Sequence, residues 1–93
     1  MKDIRFNSAL LLEIRKRPTA DRREIGKCLA EAQRVIGQPH LHKGIGMRKL
    51  RDDYFEIRVG GLRQRLVFEN TKDALVFELI GDHDDVKRFL KSL

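Results

Sequence analysis

Arg58, Arg63 and Arg65 crowd around the pair Gly60-Gly61, and His83 follows in the stretch Gly81-Asp82-His83-Asp84-Asp85. A guanidinium keeps its charge at any working pH and grips two oxygens of a phosphate at once. An imidazole moves protons near neutrality. Arginines and a histidine on one surface therefore suit a phosphate-bearing ligand and acid–base work on it. Lys43, Arg48, Lys49 and Arg51 lead into the same stretch and could track a polyanion. Read plainly, they are a solvated charge cluster. The three histidines, His40, His42 and His83, lack helical ligand spacing and have no cysteine pair to assist them, so no metal site is expected.

What positions these groups is residues 49–69, where runs of alternating apolar and polar residues flank the two glycines. That pattern predicts a β-hairpin closed by a two-residue glycine turn. In that register Val59 faces Leu62, Arg58 faces Arg63 and Glu56 faces Arg65. Phe55, Ile57, Val59, Leu62, Leu66 and Phe68 fall on one face, and Tyr54, Glu56, Arg58, Arg63 and Arg65 on the other. The plain role of Arg65 is a cross-strand ion pair with Glu56, worth about 0.2–1 kcal/mol. Arg58 opposite Arg63 sets like charges together, which an anionic partner would relieve.

The rest of the chain supplies a core for the hairpin. Residues 2–6 alternate as a short strand. Asn7 or Ser8 caps a helix to about Arg17, which Pro18 ends. Asp21 with Glu24 reads as a capping box for a second helix, whose stripe of Ile25, Cys28, Leu29, Ala32, Val35 and Ile36 stops at Gly37 and Pro39. Residues 38–48 read as a loop. Residues 74–80 read as a strand apolar on both faces, hence central and covered on both sides. Asp82 caps a final helix with Val86, Phe89, Leu90 and Leu93 on one stripe. Residues 1–93 make one α+β domain in the order β-α-α-β-β-β-α: a small antiparallel-centred sheet, two N-terminal helices on one face and a short C-terminal helix.

The net charge of +6 is concentrated, with residues 43–65 carrying seven Lys/Arg against three Asp/Glu. Such a surface favours nucleic acid or an acidic protein segment as partner. Cys28, the single cysteine, sits on the helix stripe and reads as core. No segment has the length of a membrane span or the pattern of a secretory signal, so a cytoplasmic protein is expected.

With this order in hand, the chain resembles the RelE/ParE superfamily of type II toxin–antitoxin systems. The resemblance rests on Lys49-Leu50-Arg51, Tyr54 to Val59, Gly60-Gly61, Arg65-Leu66-Val67-Phe68 and Gly81-Asp82-His83-Asp84-Asp85-Val86. It implies a cytoplasmic toxin, neutralised by a cognate antitoxin, whose heterodimers can assemble further. RelE-like members cleave mRNA in the ribosomal decoding site without metal or cofactor. ParE-like members keep the fold and inhibit DNA gyrase by binding, which is the alternative here, beside a degenerate protein-interaction domain.

Residue by residue, Arg65 matches the family arginine that holds the scissile phosphate. Arg58 matches a basic position on the preceding strand, and His83 the histidine of the YafQ-like branch. These three are the catalytic candidates. Lys43, Arg48, Lys49, Arg51, Arg63 and Lys87 are the RNA-binding candidates, with Tyr54 a possible base-stacking residue. The resemblance also implies His42 as a complementary acid, provided its loop folds over the open face. Glu56 stands where RelE has a lysine, and Lys87 where many members have a stacking aromatic. Cleavage of RNA through its own 2′-hydroxyl needs a base, a cation at the phosphorane and an acid for the leaving oxygen.

Overall fold

Five strands form one mixed sheet in the order β1-β5-β4-β3-β2 in the computed structural model, which describes all 93 residues. They are β1 (Asp3–Phe6), β2 (Met47–Arg51), β3 (Tyr54–Val59), β4 (Gln64–Asn70) and β5 (Ala74–Gly81). The helices are α1 (Ser8–Arg15), α2 (Thr19–Val35), the single turn α3 (Pro39–His42) and α4 (His83–Lys91). β1 runs parallel to β5 at one edge, while β5, β4, β3 and β2 pair antiparallel. The expected α+β architecture is present, with one more strand than expected.

That strand is β2. Residues 47–51 pair with β3 through a turn at Asp52-Asp53, and Asp52 adopts a left-handed φ of 48°. Aspartate tolerates that conformation better than most residues, so the acidic pair in the middle of the expected run was the turn signal. Part of the expected loop 38–48 is also ordered: α3 is followed by a 3₁₀ turn over Lys43–Ile45.

The hairpin register differs from the two-residue expectation. Val59 pairs with Gln64, Arg58 with Arg65 and Glu56 with Val67. The connection is four residues because only Gly61 of the glycine pair has positive φ, at 78°. The Leu62 amide donates to the Val59 carbonyl (3.3 Å), which makes a turn with its left-handed residue in third place. Leu62 thereby leaves the strand and packs against the core edge. The shift is two residues, so the side chains that stay in β3 and β4 keep their faces, while Leu62 and Arg63 move into the turn.

One face of the sheet is covered by α1 and α2. Leu10, Ile25, Cys28, Ala32 and Val35 from the helices meet Ile57, Val59, Leu66, Phe68, Leu75 and Phe77 from the strands in a single cluster. Cys28 is buried there, burial pushes its thiol pKa up, and its Sγ donates to the Arg58 carbonyl (3.3 Å). Asn7 caps α1 by accepting from the amides of Ala9 and Leu10. The capping box expected at Asp21 is absent. α2 starts at Thr19 after Pro18, with no side-chain cap, and Asp21 lies within its first turn, where its charge suits the helix dipole.

α4 covers half of the second face. Val67 and Val86 are buried but stand outside the main cluster, and Tyr54 meets Phe89 edge-on at 5.6 Å. The other half of that face is open.

Candidate active site

Two rows of side chains cross the open half of the sheet. In the first, Arg58 on β3 pairs with Arg65 on β4, which pairs with Gly81 on β5. The Gly46 carbonyl accepts from the Arg58 amide (3.1 Å), extending the row toward the 43–46 turn. In the second, Arg48 on β2 pairs with Glu56 on β3, which pairs with Val67. Because β5 ends at Gly81 and α4 begins at His83, the imidazole rises at the end of the first row. Asp82 fixes that start through a reciprocal capping box with Asp85, each side chain accepting from the other's amide at 2.9 Å. The bond that the Asp82 carboxyl accepts from the Asp85 amide holds it below its ordinary pKa.

These elements enclose a concavity of about 350 Å³, lined by Lys43, Arg48, Glu56, Arg58, Arg65 and His83 together with Gly46 and Met47. All three catalytic candidates and two of the RNA-binding candidates, Lys43 and Arg48, thus converge. Lys49, Arg51, Arg63 and Lys87 do not line it. Lys49 pairs with Phe55, which puts it on the helix-covered face. Arg51 is spent on Asp52 (3.5 Å) and the Leu90 carbonyl (3.4 Å), tying β2 to the end of α4. Arg63 is in the hairpin turn, not opposite Arg58, and Lys87 stays exposed one turn beyond His83.

His42 is on the wrong side for acid chemistry. Its Nε2 lies 3.1 Å from the Val35 carbonyl, and its ring meets Phe55 edge-on at 5.9 Å. The loop packs against the core side because Leu41 and Ile45 join the cluster there. His40 is exposed and also outside the concavity. Tyr54, engaged with Phe89, is likewise a packing residue.

Glu56 is the residue whose importance the sequence understated. Its side chain is 4% exposed, and its Oε2 accepts from Arg48 Nε (2.8 Å) while lying 3.3 Å from Arg65 Nε. The expected Glu56–Arg65 ion pair therefore exists, but around a buried carboxylate shared by two arginines. Glu56 Oε1 and Arg65 Nε, both buried, have no hydrogen-bond partner. Gly46 was also missed. It is left-handed (φ 71°), and a Cβ there would come within 3.3 Å of the Arg58 Cβ.

No protein-family model and no curated protein sequence matches the chain. Solved structures do. The isolated E. coli RelE toxin matches over 100% of both chains with a TM-score of 0.66 and 22% identity. The chain has the RelE fold. RelE from the Methanococcus jannaschii RelB–RelE antitoxin–toxin complex matches over 91% of this chain and 96% of its own, with a TM-score of 0.63 and 18% identity. The YoeB–YefM complex of Staphylococcus aureus gives a match over 89% of this chain and 98% of the other, with a TM-score of 0.60 and 18% identity. Within the RelE fold, the concavity occupies the half of the sheet that α4 leaves open.

Proposed function

We propose that this chain is the toxin of a type II toxin–antitoxin pair and a metal-independent endoribonuclease acting on ribosome-bound mRNA. The observation that carries the reading is the chemistry of the concavity: four cations, one buried carboxylate and one imidazole around a space of about 350 Å³. The unpartnered Glu56 Oε1 and Arg65 Nε add to it. Buried groups left without hydrogen bonds cost about 1–3 kcal/mol each. A ribose hydroxyl that donates to Glu56 and a phosphate oxygen that accepts from Arg65 would supply both missing bonds.

In this reading Arg65 and Arg58 hold the non-bridging oxygens of the scissile phosphate and stabilise the charge of the phosphorane. Arginine does not exchange protons, so the acid–base work falls to Glu56 and His83. Glu56 takes the proton of the 2′-hydroxyl, whose oxygen attacks the phosphorus. The bond to the 5′-oxygen of the next nucleotide breaks, and that oxygen takes a proton from His83. The products are a 2′,3′-cyclic phosphate and a 5′-hydroxyl. Lys43 and Arg48 carry the strand on either side.

Similar structures of RelE and YoeB were determined with the antitoxins RelB and YefM. That supports an antitoxin as partner of this chain, in heterodimers that can assemble further. No helix is long and apolar enough to cross a membrane. The test is inducible expression in bacteria, with pulse labelling of protein and DNA synthesis and mapping of mRNA ends. Arrest of protein synthesis with new mRNA ends, relieved by R65A and by H83A, is the expected result. Arrest of DNA synthesis with intact mRNA would overturn the nuclease in favour of a gyrase-type inhibitor. Normal growth would overturn the toxin.

A further inference from the structure

Arg58 and Arg65 have two sides. One faces the concavity with Glu56 and His83. On the other lies a second concavity of about 190 Å³, lined by Arg58, Val59, Arg63, Gln64 and Arg65. Its lining has three arginines and no acidic residue. The buried carboxylate of this face, Glu56, is shared by Arg48 and Arg65, while Arg58 and Arg63 enter no ion pair at all. Gln64, the one uncharged polar side chain of the lining, has its carbonyl oxygen occupied by Arg17 (2.7 Å). Like charges gathered without a counter-charge repel, and an anion seated among them removes that cost.

Arg63 is one of two non-glycine residues with positive φ, at 53°. The left-handed conformation costs an L-residue roughly 1–2 kcal/mol, and glycine, already used twice in this turn, would adopt it freely. Arg63 in this conformation lines the same small concavity as Arg58 and Arg65.

We infer that this second concavity is a subsite for the phosphate next to the scissile one, with Arg63 as its outer clamp. The inference rests on the proposed nuclease activity and deepens it. Arg58 and Arg65 are shared by two successive phosphates, one on each side of the arginine row. Arg63 touches only the neighbouring phosphate, so it acts on substrate binding and register and not on the proton transfers.

The test uses the full chain, ribosomes programmed with short synthetic mRNAs, and single-turnover cleavage over a range of toxin and salt concentrations. The variant is R63G, since glycine suits the left-handed position and keeps the turn. R63G should raise the half-saturating toxin concentration several-fold and lower the slope of log affinity against log salt by about one. A single neutral methylphosphonate at one of the two linkages flanking the cleavage site should weaken the wild type at least as much as R63G does, and should weaken R63G by less, since only Arg58 and Arg65 remain there to lose the charge. R63K, which keeps the charge, should recover most of the salt slope. If R63G matches the wild type in affinity and salt slope while R65A slows cleavage, the subsite is wrong and the nuclease stands. If the wild type cleaves nothing on the ribosome, the nuclease reading fails and the subsite with it.

Discussion

The Glu56 carboxylate lies 3.3 Å from Arg65 Nε, although strand register places Val67 and not Arg65 across from it. The contact is diagonal, and the other partner of Glu56, Arg48, approaches from β2 on the opposite side. A carboxylate in that position both gathers the arginines and limits their positive field. In the proposed reaction it is also the group that takes the 2′-hydroxyl proton.

These two roles separate in E56Q. The amide keeps the shape and some hydrogen bonding but takes no proton from a hydroxyl. Cleavage should fall about 10²–10⁴-fold, the usual weight of a general base. RNA affinity should hold or rise, since Arg48 and Arg65 lose their internal anion. Stability should drop by about 1–3 kcal/mol, the cost of weakening a buried charge-assisted contact. Cleavage on programmed ribosomes alongside urea unfolding gives all three, and undiminished cleavage would remove Glu56 from the mechanism.

Arg65 is the cation shared by every part of the site: Glu56 beside it, Arg58 across β3 and Gly81 across β5. R65A should cost about 10²–10³-fold in rate, comparable to losing one transition-state donor elsewhere. R65K should recover only part of that, because lysine restores the charge but not the two-pronged geometry. Equal activity of R65K and wild type would mean that Arg65 supplies a field only.

The hairpin faces were legible because side-chain alternation survives a two-residue register error. The same error misassigned the like-charge pair, which is Arg58 with Arg65 and not with Arg63. Strand β2 was hidden because Asp52-Asp53 interrupts a run that otherwise reads as one strand. The burial of Glu56 could not be read without β2, since Arg48 reaches it only across that pairing. The place of His83 at the start of α4 was legible from Asp82 and the apolar stripe that follows it. His42 has the same chemistry, but Leu41 and Ile45, its apolar neighbours, draw the loop to the core side. Local residue type does not record which face such a loop takes.

Gly81 tests how closely the start of α4 is tied to the arginine row. A Cβ there would stand 2.6 Å from the Asp85 Cβ and 2.7 Å from its Oδ2. G81A must therefore push Asp85 away and open the capping box that holds His83 in place. The overpacking should cost about 1–3 kcal/mol, with melting about 4–8 °C lower per kcal/mol in a domain of this size. Cleavage should fall further than R63G lowers it, because His83 moves with the helix start. Unchanged melting and unchanged cleavage would show that α4 does not depend on this contact.

Glu78 provides a pH-dependent prediction away from the site. Burial, with the Glu69 carboxylate adding to it, raises the Glu78 carboxyl above its ordinary value of 4.5. The folded chain therefore binds this proton more tightly than the unfolded chain does. Its contribution to stability falls as pH rises through the raised value, and the full cost of the charge is present at neutral pH. E78Q removes that charge, so its melting temperature should exceed the wild type's at pH 7. The difference should shrink on acidification and vanish well below the ordinary value of 4.5, where the carboxyl is protonated in both states. Asp82 works in the opposite sense and in a more acid window: its carboxyl is held down by the α4 amides, so its stabilisation is lost only below the ordinary carboxylate range. Paired melting curves of wild type and E78Q cancel the Asp82 contribution, which is common to both. A variant less stable than the wild type at pH 7 would show that the Glu78 charge is compensated within the fold.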